Sequence, residues 1–225
     1  MEKKIMLTSR KVMQLEQAAA LVNSGDSILV GGFGLVGYPE LLVDALSRRS
    51  IENLTIISCD LGSPGIGLGA LLTAGKIAKI IGTFFNRNTD VADAYNAGKI
   101  QVELIPQGTF AEAIRAAGVG VPAFYTPTAA GTELAKGKES RVFDGREHIL
   151  QPALRGKVAL IRAYKADELG NLIYYKMARN FNPQMAMAAD MVIAEVDSIV
   201  PAGELDPECI ITPHNFIDVL VIRGH

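Results

Sequence analysis

The sequence predicts an α/β fold, an open and mostly parallel sheet flanked by helices, with an inserted hairpin or flap region. Up to about residue 118, short apolar runs alternate with amphipathic stretches, the pattern of βαβ units. The units recur about every 25 residues, which is the length of a strand plus a helix and not a solenoid repeat. A chain of 225 residues with 49% hydrophobic content is long enough to bury one large core. No stretch rich in Ser, Pro or charge divides it, so residues 1–225 read as a single domain with an excursion at about 118–156.

Taken in order, residues 12–22 read as a helix ended by Gly25, and Ser27–Val30 as the first strand. Pro39–Leu46 is the next helix, with the proline at the first helical position, where its missing N–H costs nothing. Leu54–Ser58 is a strand, followed by the loop Asp60–Gly67 and a short helix at Leu68–Ala74. Ile77–Thr83 and Val102–Ile105 are strands on either side of a helix at Val91–Ala97, and Thr109–Ala117 is a helix stopped by Gly118. Gly and Pro then become frequent, and residues 142–149 form a hairpin turning at Asp144-Gly145, a flap or an interface arm. Strands resume at Val158–Ile161 and Leu172–Tyr175, with a turn at Gly170-Asn171. Met191–Val196 is a buried run, and Val219–Ile222 closes the sheet as an edge strand.

Mean hydropathy is +0.23, high for a soluble monomer. No window approaches the roughly 18 uninterrupted apolar residues of a membrane span, so the excess points to a buried subunit interface. The opening run from Met1 to Met6 leads into a mixed polar segment and does not read as a signal peptide, so a cytoplasmic location is expected. Cys59 and Cys209 have neither metal-ligand nor redox-pair spacing and fit a reducing compartment. With three histidines, the chain is poorly stocked for a zinc site or a Ser-His-Asp triad. The net charge is −2, and the basic dipeptides Lys3-Lys4, Arg10-Lys11 and Arg48-Arg49 do not recur along a face. Nucleic acid is not an expected partner.

The most specific local signal is the run Ser27-Ile-Leu-Val-Gly-Gly-Phe-Gly-Leu-Val-Gly-Tyr-Pro39. Gly32, Gly34 and Gly37 satisfy G-x-G-x-x-G directly after a strand, which suggests a dinucleotide. Asp60, at the end of the next strand, falls about where a ribose-binding acid would sit. Pro39 opposes that reading, because the dinucleotide helix has begun by the third glycine and a proline two residues later would clash inside it. With Pro39 as the first helical residue, the loop becomes an open arch of Gly31, Gly32, Phe33, Gly34, Leu35, Val36 and Gly37. Its bare backbone can approach a bulky ligand. A glycine-rich turn with no ligand is the plain alternative.

The arch, Ser58-Cys59-Asp60 and Pro106-Gln107-Gly108-Thr109 all fall at carboxyl ends of strands, the edge where open α/β sheets bind ligands. The Gln107 amide can donate to a carbonyl oxygen, and the N–H groups near Gly108 and Thr109 point the same way. That is equipment for stabilising an oxyanion in acyl transfer. The plain alternatives are a helix cap at Thr109, a loop cap at Asp60 and simple burial of Cys59.

The run Gly31-Gly-Phe-Gly-Leu-Val-Gly-Tyr-Pro39 resembles the first half of family I coenzyme A transferases, the 3-oxoacid type. The likeness continues through Gly67-Leu-Gly-Ala-Leu-Leu72, Pro106-Gln-Gly-Thr109, Ala113-Ile-Arg-Ala-Ala-Gly118, Val121-Pro-Ala-Phe-Tyr-Thr126, Gly170-Asn171 and Ala178-Arg-Asn-Phe-Asn182. It covers nearly the whole chain in order. The resemblance implies the α subunit of such an enzyme, active only with a separate β subunit in an α2β2 heterotetramer. In that family a glutamate in a Ser-Glu-Asn-Gly context attacks the acyl-CoA thioester, giving an acyl-glutamyl anhydride and then a glutamyl-CoA thioester. The tetrapeptide does not occur here, so the nucleophile is expected on the β subunit. Coenzyme A, acyl-CoA and small carboxylates are implied as substrates, with no permanently bound cofactor and no metal.

By the same resemblance the arch, Gly31 to Gly37, lines the CoA site, while Cys59, Asp60 and Gln107 face the acyl group. Cys59 stands where relatives place an asparagine, which removes a donor near the substrate. The segment Phe84-Phe-Asn-Arg-Asn88 also departs from the common short-chain pattern, with Arg87 either a partner for a carboxylate or a plain surface arginine. The expected reaction is reversible transfer of CoA between acetyl-, butyryl- or 3-oxoacyl-CoA and a carboxylic acid. A 3-oxoadipate enzyme is the alternative within the family, because the run from Glu204 to Pro213 resembles that branch too. Two other classes stay in view, an NAD-dependent oxidoreductase and a non-catalytic binding module with a sheet like that of sugar-phosphate isomerases.

Overall fold

A computed structural model of the chain describes residues 11–224. The readings made on Met1–Met6, on Lys3-Lys4, on Arg10 and on His225 lie outside the described residues. The first half alternates helices and strands: α1 (Leu15–Ala19), β1 (Ser27–Val30), α2 (Glu40–Arg48), β2 (Leu54–Ile57), α3 (Leu68–Thr73), β3 (Ile77–Gly82), α4 (Thr89–Asn96), β4 (Gln101–Leu104) and α5 (Gln107–Gly118). An antiparallel excursion follows, made of β5 (Ala123–Thr126), β6 (Ser140–Phe143) and β7 (Arg146–Pro152). The chain then returns through β8 (Gly156–Asp167), β9 (Leu172–Ile173), α6 (Asn182–Met187), β10 (Ala189–Val200) and β11 (Val219–Ile222).

Among the described residues the main sheet runs β11-β10-β8-β1-β2-β3-β4, with every neighbouring pair parallel and β9 antiparallel on β8. Such strands are covered on both faces and so read as continuous apolar runs. Alternation along β1 sends Ile28 and Val30 to one face and Leu29 to the other. Helices α1 to α4 cover the first face, where Leu42 and Leu46 of α2 and Leu71 of α3 meet Ile28, Leu54, Ile56 and Ile80. Helices α5 and α6 cover the second, where Phe110, Ile114 and Met185 meet Leu29, Ile57, Ala159 and Ala194. The Phe110 and Phe181 rings pack edge-on at 5.6 Å. No helix among the described residues is long and apolar enough to cross a membrane.

Strand order reverses between β1 and β8, which places the switch point there. β8 pairs with β1 only from Val158 to Leu160, yet stays paired with β10 as far as Asp167 and Val200. The two long strands therefore run past the carboxyl end of β1 and wall one side of the crevice.

Several boundaries differ from the sequence reading. The first helix covers only Leu15–Ala19, because Val12 leaves it to bridge Leu220 in parallel. Pro39 is the residue before α2, not its first helical residue; its carbonyl accepts the Val43 N–H while its ψ of 82° stays outside the helix. Helix α5 begins at Gln107, two residues before Thr109, so the cap position falls on Pro106. β8 runs 12 residues where Val158–Ile161 is expected, and β10 runs 12 across the Met191–Val196 run, since each supplies the other's hydrogen bonds beyond the sheet. The Asp144-Gly145 turn joins β6 to β7 with positive φ at both residues (50° and 75°), and β5 pairs on the far side of β7.

Candidate active site

Where an open arch is expected, the chain closes a small hairpin. Phe33 and Val36 exchange two backbone hydrogen bonds of 3.1 Å, with Gly34-Leu35 at the tip and Gly34 at φ 57°. The loop after β2 repeats the device, Ser63 bridging Ile66 around Pro64-Gly65. Asp60 ties the two together. Its Oδ2 accepts the Gly34 N–H at 2.7 Å and its Oδ1 the Gly62 N–H at 2.8 Å. Each carboxylate oxygen is thus held by loop backbone, and Asp60 is 6% exposed. Cys59 is fully buried, its Sγ 3.3 Å from the Thr83 hydroxyl, and burial pushes its thiol up to about 11.

The glycines of the arch answer to a second segment, 178–182. The Asn180 side chain accepts the Gly32 N–H at 3.1 Å and donates to the Val36 carbonyl at 2.9 Å. Asn182, with no exposed surface, donates to the carbonyls of Gly37 and Ala178, each at 2.9 Å, and accepts the Arg162 N–H. A Cβ on Gly31 would lie 1.8 Å from Asn182 Oδ1, and one on Gly37 2.4 Å from the Ala178 carbonyl. Gly31, Gly32 and Gly37 are buried in this clamp, while Phe33, Leu35 and Val36 point outward. Together with Ile66 and Met177 they make an exposed apolar ridge at the carboxyl edge.

Beside the ridge, at the switch point, lies a cavity of ≈ 380 Å³ lined by Gly37, Arg162, Tyr164, Tyr174, Tyr175 and Asp197 among others. Arg162 pairs with Asp197 at 3.2 Å. The Tyr174 hydroxyl meets Thr212 at 2.7 Å, and burial pushes it above the ordinary tyrosine range.

Gln107 stands apart from the clamp. It opens helix α5 at the end of β4, is exposed, and no side chain caps the helix before it. The helix N-terminal dipole and first-turn N–H groups face the carboxyl edge, and Gln107 opens that turn. Helix α2 is the opposite case. Glu195 of β10, with no exposed surface, accepts the N–H groups of Leu41 (2.8 Å) and Leu42 (3.1 Å). Arg223 holds its other oxygen and also reaches Glu40 at 2.9 Å. Burial raises the Glu195 carboxyl above its ordinary range, with the Leu42 N–H and Arg223 pulling it back. In a dinucleotide fold the pyrophosphate rests at this helix N-terminus. Here a carboxylate already occupies it, which opposes the NAD reading more directly than Pro39 does.

Sequence reasoning assigned no role to Glu195, Arg162, Asn180 or Asn182. A lone glutamate inside the apolar run Met191–Val196 is the signal that marks Glu195, because a charge on a buried strand needs a dedicated partner.

A family model described as Coenzyme A transferase matches residues 12–223. The A subunit of succinyl-CoA:3-ketoacid coenzyme A transferase from Helicobacter pylori is 48% identical over 209 residues, covering 93% of this chain and 90% of that one. The A subunit of 3-oxoadipate CoA-transferase from Pseudomonas putida is 49% identical over 206 residues, covering 90% and 89%. Among solved structures, an acyl-CoA transferase of Escherichia coli in a thioester complex with CoA superposes with a TM-score of 0.82 at 20% identity. That match covers 95% of this chain and 47% of the other, so this chain spans about half the length of that enzyme and shares its fold.

Proposed function

The chain belongs to the coenzyme A transferase family, and from that premise we propose that it is the α subunit of a two-subunit enzyme moving CoA between an acyl-CoA and a carboxylic acid. One observation carries the subunit reading. The chain matches proteins named as A subunits across nearly their whole length, yet contains no Ser-Glu-Asn-Gly segment to supply the nucleophile. The attacking glutamate then belongs to a β subunit, in a cytoplasmic α2β2 assembly.

In this reading the glutamate carboxylate adds to the thioester carbonyl and CoA leaves as thiolate, giving an acyl-glutamyl anhydride. The thiolate then attacks the glutamyl carbonyl, releases the first carboxylate and leaves a glutamyl-CoA thioester, which the second acid reverses. This chain contributes the arch, Gly31 to Gly37, as one wall of the CoA site, with the tip from Phe33 to Val36 turned outward and Gly31, Gly32 and Gly37 held behind it in the clamp, and with Cys59 and Asp60 supporting the acyl side. The Gln107 amide and the first-turn N–H groups of α5 stabilise the oxyanion. Phe33, Leu35, Val36 and Ile66 exclude water once the β subunit covers them, which protects the anhydride. Binding energy from the remote part of CoA orients the thioester. The substrates are short-chain acyl-CoAs and free acids, with a 3-oxoadipate pair as the alternative.

The test is thioester exchange between acetyl-CoA and butyrate by the chain alone and by the chain co-expressed with its second subunit. Exchange is expected only from the complex, and titration should show CoA binding without NAD binding. Turnover by the isolated chain at an enzymatic rate would remove the two-subunit reading, and binding of NAD but not CoA would remove the transferase reading.

A further inference from the structure

We infer that the cavity between α4 and the carboxyl ends of β3 and β4 holds the aliphatic tail of a monocarboxylic acyl group longer than acetyl; this rests on the transferase reading above. The cavity measures ≈ 570 Å³, inside the roughly 300–1,000 Å³ of small-ligand sites. Phe84, Phe85, Val91, Val102, Leu104 and Leu134 supply most of its wall, with Ala92 and Tyr95 on the α4 side. Leu104, Tyr95 and Leu134 remain exposed although they are large and apolar, so the wall is not satisfied by the chain itself.

Its position ties it to the reacting end. Thr83, at its inner edge, donates its hydroxyl to the Cys59 carbonyl at 2.8 Å. The Phe84 ring lies 5.7 Å from the ring of Phe33 on the arch. Leu104 is three residues before Gln107 on the same connection. A tail leaving a carbonyl near these groups meets the cavity directly. The lining also selects the chemistry of that tail. Among the described residues lining the cavity none is charged, its polar groups being Thr83, Asn86 and Tyr95. A terminal carboxylate would be desolvated there without a cation, whereas methylenes gain from burial.

The experiment uses the complex with the co-expressed second subunit, propionyl-CoA as donor, and acetate, butyrate, hexanoate, octanoate and adipate as acceptors. From acetate to hexanoate kcat/KM should rise about fourfold per methylene. Adipate, with the six carbons of hexanoate and a second carboxylate, should be poorer than hexanoate by on the order of 100-fold. Ala92→Phe, which adds a ring to the cavity from an exposed helical position, should collapse the hexanoate-to-acetate ratio toward one. Leu104→Ala, which widens the cavity, should move the optimum toward octanoate. A flat or falling length series, or adipate equal to hexanoate, would overturn the inference and leave the transferase reading standing. A rising series with ratios untouched in both folded variants would also overturn it, assigning the cavity to the partner subunit. Absence of transfer to every acid would overturn the transferase reading and the inference together.

Discussion

Asn182 and Gly31 interlock: the Asn182 side-chain oxygen sits 1.8 Å from where a Cβ on Gly31 would be, and it accepts the Arg162 N–H from that seat. The absence of a side chain at residue 31 is what lets segment 178–182 close on the arch.

Gly31→Ala should therefore destabilise the fold by about 1–3 kcal/mol through overpacking. Gly34→Ala meets nothing within 4 Å and suffers only from its φ of 57°, a cost of roughly 1–2 kcal/mol. Urea melts of the two variants should rank Gly31→Ala as the more damaging. The reverse order would mean that backbone strain at the tip, not the asparagine clamp, limits the arch.

Asp60→Ala removes the acceptor shared by Gly34 and Gly62. Two buried or half-buried N–H groups lose their partner, at about 1–3 kcal/mol each where water does not replace it. Under the transferase reading the loosened tip raises KM for CoA more than it lowers kcat. A fall in kcat alone would mean that Asp60 serves the acyl side without bracing the arch tip.

Gln107→Ala should slow acyl transfer by about 10- to 1,000-fold, the cost of one oxyanion donor. The CoA KM should change little. The side chain is exposed and hydrogen-bonds to no described residue, so melting temperature should hold. Unchanged kcat in the folded complex would reduce Gln107 to the opening residue of a helix.

The buried Glu195 carboxyl lies above its ordinary value of 4.5 when folded. Its contribution to stability is thus fully present below about pH 4.5 and is lost as pH rises through the folded value. Glu195→Gln no longer titrates, so the difference in unfolding free energy should shift in favour of the variant as pH rises. Urea melts at several pH values check the direction. A shift the other way would mean that Arg223 outweighs burial. Glu195→Ala takes the shared acceptor from two helix N–H groups while Arg223 keeps Glu40, and should cost about 1–3 kcal/mol for each N–H that water does not reach.

A thiol reagent at mildly alkaline pH should titrate one cysteine per folded chain. Cys209 is exposed, although the Asp206 carboxylate raises its thiol; Cys59 is buried with its thiol near 11. The second thiol should appear only on denaturation. Two equal rates would show that the end of β2 opens readily.

Local chemistry was enough for the order of strands and helices as far as α5, for the glycine and proline punctuation, and for the Asp144-Gly145 turn, whose positive φ values are a demand of that turn alone; it did not show β5 or α6, short elements held by partners far along the chain. The resemblance of whole blocks also carried the family, because those blocks stand in order along one chain. The clamp did not follow from any of this. Gly31 and Gly37 read as room for a ligand, and only the fold shows them filled by Asn182 and the Ala178 carbonyl. Glu195 and Leu42 are 153 residues apart, and Asn182 and Gly37 145. A buried polar group must find a partner, and nothing within its own segment says which. The register of β8 against β1 and β10 decides it, because that register sets which strand ends face the arch, and register is a property of the assembled sheet.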